Sequence, residues 1–388
     1  MKFVFYTNSV SPHQLPLAKE LVKLMGAKNY KYIYTTKLTN ERRNLGWESE
    51  VDAEWCRSGN ESDSELHDAD VVMSGLRVMS LFESRARDGK KTIYCSERWF
   101  KPKMGMLRLL RPSYFRMAYR FVRLLSSESD FHYFPMGIHA ARDMARLCGL
   151  MHGDWRCFFS APELDFERKP GGRVWLKSGK EDRRYCLDKM RMWGYFVERS
   201  KCENDGREIE ASNKIRVLWV GRLLKWKCVD TIIRAVGECL NVRRGVSLSA
   251  ITLDVYGIGP EEMRLKKLAA RYGDVIKFHP PVPIDQVRKL MRAHDVYVLS
   301  SNAYEGWGAV VSEALEEGMK VVGTYEAGAS ATILPESNLF HAGDWKRLSN
   351  MFSSLNIIKK TEIEKWVAKL AAVKLIKLID ESLMEGCT

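Results

Sequence analysis

Apolar and polar positions along this chain of 388 residues follow two alternating rhythms. Short runs of apolar, β-branched and aromatic residues predict buried strands. In the first half these are Lys2–Thr7, Tyr30–Thr35, Ala69–Ser74, Lys91–Cys95, Phe131–Phe134 and Arg156–Phe159. In the second half they are Ile215–Val220, Ile251–Tyr256, Ile276–Phe278, Val296–Leu299 and Lys320–Gly323. Between them, apolar residues at three- and four-residue spacing predict helices over Leu15–Met25, Leu76–Arg87, Ser113–Leu125, Ile138–Cys148, Asp230–Leu240, Glu261–Tyr272, Ile284–Ala293 and Ala309–Glu317. A further helical pattern runs from Trp345 to Met384. Strands alternating with helices of this length imply parallel sheets covered on both faces. The polar stretch Arg199–Asn213 separates the two halves. The expected architecture is α/β: two doubly wound, Rossmann-like domains over residues 1–200 and 214–365, a linker over 201–213, and a C-terminal helix over 366–388. In such sheets ligands bind outside the carboxyl ends of the strands.

Composition narrows this picture. An apolar fraction of 45% supports sizeable cores, and a net charge of +13 favours an anionic partner: nucleic acid, a phosphate-bearing substrate or an acidic membrane surface. The nine cysteines include no C-x-x-C pair and do not cluster with histidines, so they read as idle thiols of a reducing compartment rather than as a zinc site or disulfide framework. The opening apolar run is too short for a signal peptide, and no run of about 18 apolar residues is present to span a bilayer. These features predict a cytoplasmic protein.

Chemistry concentrates where predicted strands end. In Glu305-Gly306-Trp307-Gly308-Ala309-Val310-Val311-Ser312-Glu313 two carboxylates stand eight positions apart around a strand-to-helix turn. Glu305 is expected before the helix and Glu313 two turns inside it, with backbone N–H groups at the helix start available to an anion. After strand Ile215–Val220, Gly221 permits a sharp turn, and Arg222 and Lys227 supply a fork and a point charge suited to a diphosphate. Their plainer reading is two solvated surface cations. Gly257-Ile258-Gly259-Pro260 follows the next strand, but Glu262 stands where a dinucleotide fingerprint needs its third glycine, so a Rossmann dehydrogenase is poorly supported. In the first half, Ser11-Pro12-His13 follows the opening strand, with His13 read either as a ligand of a hydroxyl or phosphate or as a helix cap. Ser96-Glu97-Arg98 follows the fourth strand, with Glu97 holding an acceptor hydroxyl or pairing with Arg98. The stretch Arg98–Arg123 holds eight cations, no carboxylate and interleaved apolar residues, the pattern of a basic amphipathic helix on an anionic membrane surface; its alternatives are a solvated helix face and nucleic acid.

Taken together, these motifs resemble the family-4-type (group 1) retaining glycosyltransferases of the GT-B fold, in the manner of bacterial members that build surface polysaccharide. Glu305…Glu313 resembles the family's E-x7-E motif, Gly221-Arg222…Lys227 its diphosphate loop, and Gly257-Ile258-Gly259-Pro260 with Val282-Pro283 its G-x-G-P turn and base-contacting loop. The resemblance is strongest over residues 214–340. It implies two domains facing a central cleft, with the C-terminal helices packing back toward an acceptor-binding first domain. It implies transfer of a sugar from a UDP- or GDP-linked donor to a glycan or lipid-linked acceptor in lipopolysaccharide, capsule or exopolysaccharide synthesis, at the inner face of the cytoplasmic membrane. Arg222 and Lys227 would hold the diphosphate, Glu313 the ribose and Glu305 the donor sugar near the reacting carbon. Gly306, Trp307, Gly308 and Ala309 would line the sugar and phosphate site, Gly257, Gly259 and Val282 the nucleotide, and Ser11, His13 and Glu97 the acceptor side. No metal or other cofactor and no nucleic acid is implied. A nucleotide-sugar epimerase of the same fold is the alternative within enzymes, and a basic nucleic-acid-binding protein the alternative outside them.

Overall fold

The apolar runs form two parallel sheets. The computed structural model describes residues 1–37, 51–198, 214–242, 250–354, 358 and 366–379. The expected linker therefore lies outside the described residues, as does the expected C-terminal helix beyond residue 379. The described chain forms two compact units: one gathers the residues up to Glu198 with those from Trp366 onward, the other those from Lys214 to Ile358.

In the first unit the strands are β1 (Phe3–Thr7), β2 (Tyr30–Tyr34), β3 (Cys56–Ser58), β4 (Val71–Ser74), β5 (Lys91–Ser96) and β6 (Phe131–Pro135). Their order is β3-β2-β1-β4-β5-β6, all parallel, so the chain reverses direction across the sheet between β1 and β4. A small antiparallel hairpin, β7 (Leu164–Phe166) with β8 (Val174–Leu176), is added outside this sheet. The second unit repeats the plan with β9 (Lys214–Val220), β10 (Ala250–Tyr256), β11 (Ile276–His279), β12 (Val296–Leu299), β13 (Lys320–Thr324) and β14 (Leu339–Phe340), in the order β11-β10-β9-β12-β13-β14. Its switch point lies between β9 and β12. Every residue of β12 is buried, as expected of a strand covered by helices on both faces. Ile215, Val217 and Trp219 of β9 and Ile251, Leu253 and Val255 of β10 send alternate side chains into one core, which also receives Ile232, Ile233 and Val236 from helix Val229–Val242.

Several elements differ from expectation for identifiable reasons. Arg156–Phe159 is not a strand. Trp155–Phe158 is a 3₁₀ turn started by the Asp154 carboxylate, which accepts from Arg156 N–H. Arg98–Arg123 is not one amphipathic helix: a 3₁₀ turn, Gly105–Leu110, precedes helix Pro112–Leu125, and Arg111 takes the extended backbone that a following proline imposes. Trp99, Phe100, Met106, Leu109, Phe121 and Val122 of this stretch are buried, so much of its apolar content is core. The helix expected over Glu261–Tyr272 ends at Ala269 and tightens into a 3₁₀ turn that holds Gly273 at a φ of +56°. Within the expected helix Trp345–Met384, helices occupy Trp345–Ser353 and Ala368–Ile379, and the latter belongs to the first unit.

Arg85, on helix Met79–Arg87, carries much of the cohesion of the first unit. It is fully buried, and its guanidinium donates to the carbonyls of Leu66, Ala69, Asp70 and Lys91 and to Thr92 Oγ1. Burial draws its pKa down to about 10.

Candidate active site

The second unit assembles its candidate residues from four loops at the carboxyl edge of the sheet. The loops after β9, β10 and β11 are tied in series by backbone bonds. Gly221 N–H donates to Tyr256 O (3.0 Å), Leu223 N–H to Ile258 O (2.9 Å) and Gly257 N–H to His279 O (3.1 Å). The approach is close enough to dictate glycine. A Cβ on Gly257 would stand 1.8 Å from the Gly221 carbonyl oxygen, and one on Gly259 would stand 2.4 Å from that of Leu223. Gly257 and Gly259 therefore lock loop against loop, a role that the G-x-G pattern alone does not reveal. Val282 is half-buried in the loop after β11, beyond His279. His279 and His294 both contact the Asp254 carboxylate through Nε2, at 2.6 and 3.2 Å, and the His279 ring stacks on Tyr256 at 4.3 Å. Hydrogen bonds from His294 and His279 outweigh burial and hold the Asp254 pKa below its ordinary value.

The segment between β12 and helix Val310–Glu316 docks on the β9 loop. Asn302 N–H donates to Trp226 O (2.9 Å), and Ser300 Oγ–H donates to the Lys227 carbonyl (2.7 Å). These bonds bring Lys227 Nζ to 2.5 Å from Glu305 Oε2, which also accepts from Ser301 Oγ–H at 2.8 Å. Lys227 and Glu305 side chains are 18% and 12% exposed, so the pair is largely withdrawn from water. The Lys227 ammonium also lies 4.5 Å from the centre of the Trp226 ring. Sequence reading gave Lys227 and Glu305 separate tasks; in the fold they are one ion pair.

Glu313 lies on the first turn of its helix, not two turns in, because the helix begins at Val310. It is buried, as is Glu305. Tyr297, fully buried on β12, donates weakly to the Val220 carbonyl (3.4 Å). Burial, followed by the charges of Glu305 and Glu313, pushes the Tyr297 hydroxyl well above its ordinary range, so both carboxylates bear on the same phenol. Gly306 and Trp307 are held from behind, their carbonyls accepting from Gly328 N–H (3.0 Å) and Ala329 N–H (2.7 Å). Trp307 is fully buried and serves as a packing anchor, while Gly308 turns the chain at a φ of +89° into Ala309. Arg222 is exposed on the loop after β9.

The candidate residues of the first unit lie at the carboxyl edge of its own sheet. Ser11 and His13 follow β1; Ser11 Oγ accepts from His13 N–H at 3.3 Å, and the His13 ring packs on Tyr195. His13 does not cap helix Leu15–Met25, whose N-cap position is Gln14. Glu97 follows β5 and pairs with Lys101 (3.5 Å) rather than Arg98. Arg98 instead approaches Asp143 (3.4 Å), a buried carboxylate that also accepts from Phe100 N–H (2.9 Å). Asp143 thus fixes the loop beyond Glu97, which no motif signalled. Among the described residues no three His, Cys, Asp or Glu side chains are grouped to hold a metal ion, and no helix is long and apolar enough to cross a membrane.

Comparison with known proteins places this geometry in context. Residues 201–362 match the family described as glycosyl transferases group 1. An uncharacterized glycosyltransferase of Methanocaldococcus jannaschii, MJ1069, is 30% identical over 148 residues, 37% of this chain and 37% of that protein. The D-inositol 3-phosphate glycosyltransferase of Streptomyces griseus is 37% identical over 125 residues, 30% of this chain and 26% of that protein. The matched segment thus spans well under half the length of these relatives. The fold is shared along nearly the whole chain. Anabaena HepE, solved with UDP, superposes with a TM-score of 0.56 at 14% identity, covering 100% of this chain and 99% of that one. The lipopolysaccharide outer core galactosyltransferase WaaB superposes with a TM-score of 0.60 at 12% identity, covering 98% and 100%. Residues 201–362 are thus similar to the group 1 glycosyl transferases, and the two units carry the GT-B fold of the solved glycosyltransferases.

Proposed function

We propose that this protein transfers a sugar from a UDP- or GDP-linked donor to a glycan or lipid-linked acceptor in cell-surface polysaccharide synthesis, with retention at the anomeric carbon and without a metal. The observation that carries this reading is the Lys227–Glu305 pair, set with Glu313 around Tyr297 inside the segment that matches the family. As the sugar–phosphate bond breaks, its electron pair leaves with the nucleoside diphosphate. Arg222 and Lys227 offset that charge, and one such fixed group is worth about 3–4 kcal/mol in the transition state. The acceptor oxygen bonds to the anomeric carbon on the face the diphosphate leaves, and its proton passes to that diphosphate. Glu305, held by Ser301 and Lys227, faces the donor sugar, and Glu313 accepts from the ribose hydroxyls. Gly257, Gly259 and Val282 shape the nucleotide end, and Ser11, His13 and Glu97 serve the acceptor. That HepE is solved with UDP and with UDP-glucose supports a nucleotide-sugar donor.

The test is transfer from a panel of nucleotide sugars to membrane-derived glycan acceptors, with a chelator present. Arg222→Ala and Glu305→Ala are expected to abolish transfer while circular dichroism stays native. Normal turnover in either variant, or turnover only on metal addition, removes the corresponding part of the proposal.

The reading extends to an anionic membrane surface on the first unit. Leu107 (51% exposed), Leu110 (72%), Phe115 (44%) and Tyr119 (46%) are exposed among the exposed cations Lys103, Arg111, Arg116 and Arg123. Apolar side chains able to enter the acyl boundary, ringed by cations and without a carboxylate from Arg98 to Arg123, suit a lipid headgroup layer. On this reading the protein works at the inner face of the cytoplasmic membrane, where a lipid-linked acceptor resides.

A further inference from the structure

On the second unit a cavity opens between helices, set back from the loops that carry Lys227 and Glu305. It measures about 240 Å³ and is lined by Arg234, Glu238, Leu268, Arg271, Tyr272 and Trp345. Arg234 and Glu238 are four positions apart on helix Val229–Val242 and so share a face. Leu268 and Tyr272 have the same spacing where helix Glu262–Ala269 runs into the 3₁₀ turn Ala270–Val275. Trp345 opens helix Trp345–Ser353. Asp230 stands in the first turn of helix Val229–Val242, nearest the β9 loop. Arg234 and Glu238 lie one and two turns beyond it, on the order of 6–12 Å along the helix.

The aromatic wall is built into the packing. The Tyr272 ring lies across Gly237, where a Cβ would stand 2.2 Å from Tyr272 Cζ. A glycine inside a helix weakens it; here it makes room for the ring. Tyr272 and Trp345 are both half-buried. Neighbouring charges on these helices are paired: Glu261 with Arg264 at 2.6 Å, Glu262 with Lys266 at 2.7 Å, and Asp230 with Arg264 at 3.5 Å. The cavity's own charges are not. Among the described residues, the side chains of Arg234, Glu238 and Arg271 form no hydrogen bond or ion pair. Arg271 approaches only the Tyr272 ring, at 5.8 Å from its centre. Arg234 precedes Glu238, the less favourable order for a helical ion pair, and that pair is not closed. Lys346 adds a further cation 5.6 Å from the centre of the Trp345 ring.

Two aromatic rings beside two guanidinium groups and one carboxylate define a ligand chemistry. The C–H face of a sugar ring packs on an aromatic ring, and its adjacent hydroxyls match the paired oxygens of a carboxylate and the fork of a guanidinium. Size selects as well. Sites for drug-sized ligands run to about 300–1,000 Å³, so this cavity has room for a single ring and not for a nucleoside diphosphate. Arg234 and Arg271, with Lys346 nearby, outnumber Glu238, and the surplus favours a ring that carries a negative group. We propose that this cavity is a second carbohydrate site, taking one sugar unit that bears a carboxylate or a phosphate. Tyr272 and Trp345 hold the ring face, Glu238 accepts from ring hydroxyls, and Arg234 and Arg271 hold the anionic group. The ligand class stands on the cavity alone. Its use, retaining an acidic glycan on the enzyme between transfers, rests on the transferase reading above.

The experiment uses the full-length protein carrying 5-fluorotryptophan, with the Trp345 fluorine resonance assigned by its loss in Trp345→Phe. Methyl β-D-glucuronoside and glucose 6-phosphate are titrated in turn, with methyl β-D-glucoside and inorganic phosphate as the uncharged and sugar-free comparisons. At least one acidic sugar is expected to move the Trp345 resonance saturably, and which one does so tells carboxylate from phosphate. The uncharged glucoside is expected to bind roughly tenfold more weakly or worse, and inorganic phosphate to have no effect at the same concentration. The double variant Arg234→Gln with Arg271→Gln, at exposed positions, is expected to weaken acidic-sugar binding by about tenfold or more. No saturable response, an equal response to the glucoside, the same response to phosphate alone, or unchanged binding in the double variant would overturn the proposal. So would a response lost in Arg222→Ala and kept in the double variant, which belongs to the donor loops. The titration needs neither donor nor turnover, so failure of the transferase reading leaves its outcome intact.

Discussion

At the residue scale, the defining feature is the ion pair between Lys227 and Glu305, 78 positions apart, made at 2.5 Å in a partly dry loop junction. Withdrawing both charges from water is unfavourable unless each is well partnered. Here Ser301 supplies the carboxylate with a second donor, and the Trp226 ring lies against the ammonium. Removing either partner leaves the other charge stranded. Lys227→Met and Glu305→Gln are therefore each expected to lower the transfer rate by about 10²–10³-fold. Because the two act as a unit, the double variant should be no slower than the worse single one. Additive losses measured by steady-state kinetics would mean that the two residues work separately. The residue types at this site were legible in the sequence as charges beside strand ends. Their pairing was not, because a contact across 78 residues is made by loop docking rather than by local spacing.

At the element scale, close approach between loops decides which residues fit. Gly257 has a φ of +145° and no room for a Cβ against Gly221. Gly257→Ala is expected to destabilise the second unit by about 1–3 kcal/mol through backbone strain alone. It should also weaken donor binding, read as a smaller donor-induced rise in Tm. Unchanged stability in a denaturant titration would show that the loops separate without penalty. Arg85 plays the corresponding part in the first unit, joining the ends of helices Ser64–Asp68 and Met79–Arg87 to β5 through five hydrogen bonds. Lysine has three donors and no fork. Arg85→Lys is expected to cost about 2–4 kcal/mol in equilibrium unfolding, since carbonyls buried without partners cost about 1–3 kcal/mol each. In the sequence Arg85 reads as one surface cation among many. Helix Leu15–Met25 and helix Ile284–Ala293 were legible to the residue because each has an apolar stripe and clear breakers. β3 and the β7–β8 hairpin were not, because three-residue strands carry too little periodicity.

At the scale of the whole molecule, charge and exposed apolar surface point to lipid. The protein is expected to co-sediment with vesicles containing anionic phospholipid at low salt and to be released as salt rises, since each cation near such a surface contributes about 1 kcal/mol. Leu110→Glu with Phe115→Glu should reduce binding while transfer to a soluble acceptor persists. Vesicles that leave the wild-type protein in the supernatant would end this reading. What the sequence determined alone was the repeating strand–helix pattern, hence two parallel doubly wound units, and the placing of charged and glycine-rich motifs at strand ends. Those follow from local periodicity and backbone preference, which neighbouring residues set among themselves. Only the tertiary structure decided that Lys227 holds Glu305, that Gly257 and Gly259 serve loop packing, and that Asp143 takes Arg98 from Glu97. Each is a contact between distant segments, formed because burying apolar sheet faces fixes the backbone first and leaves polar groups to find the partners that geometry brings within reach.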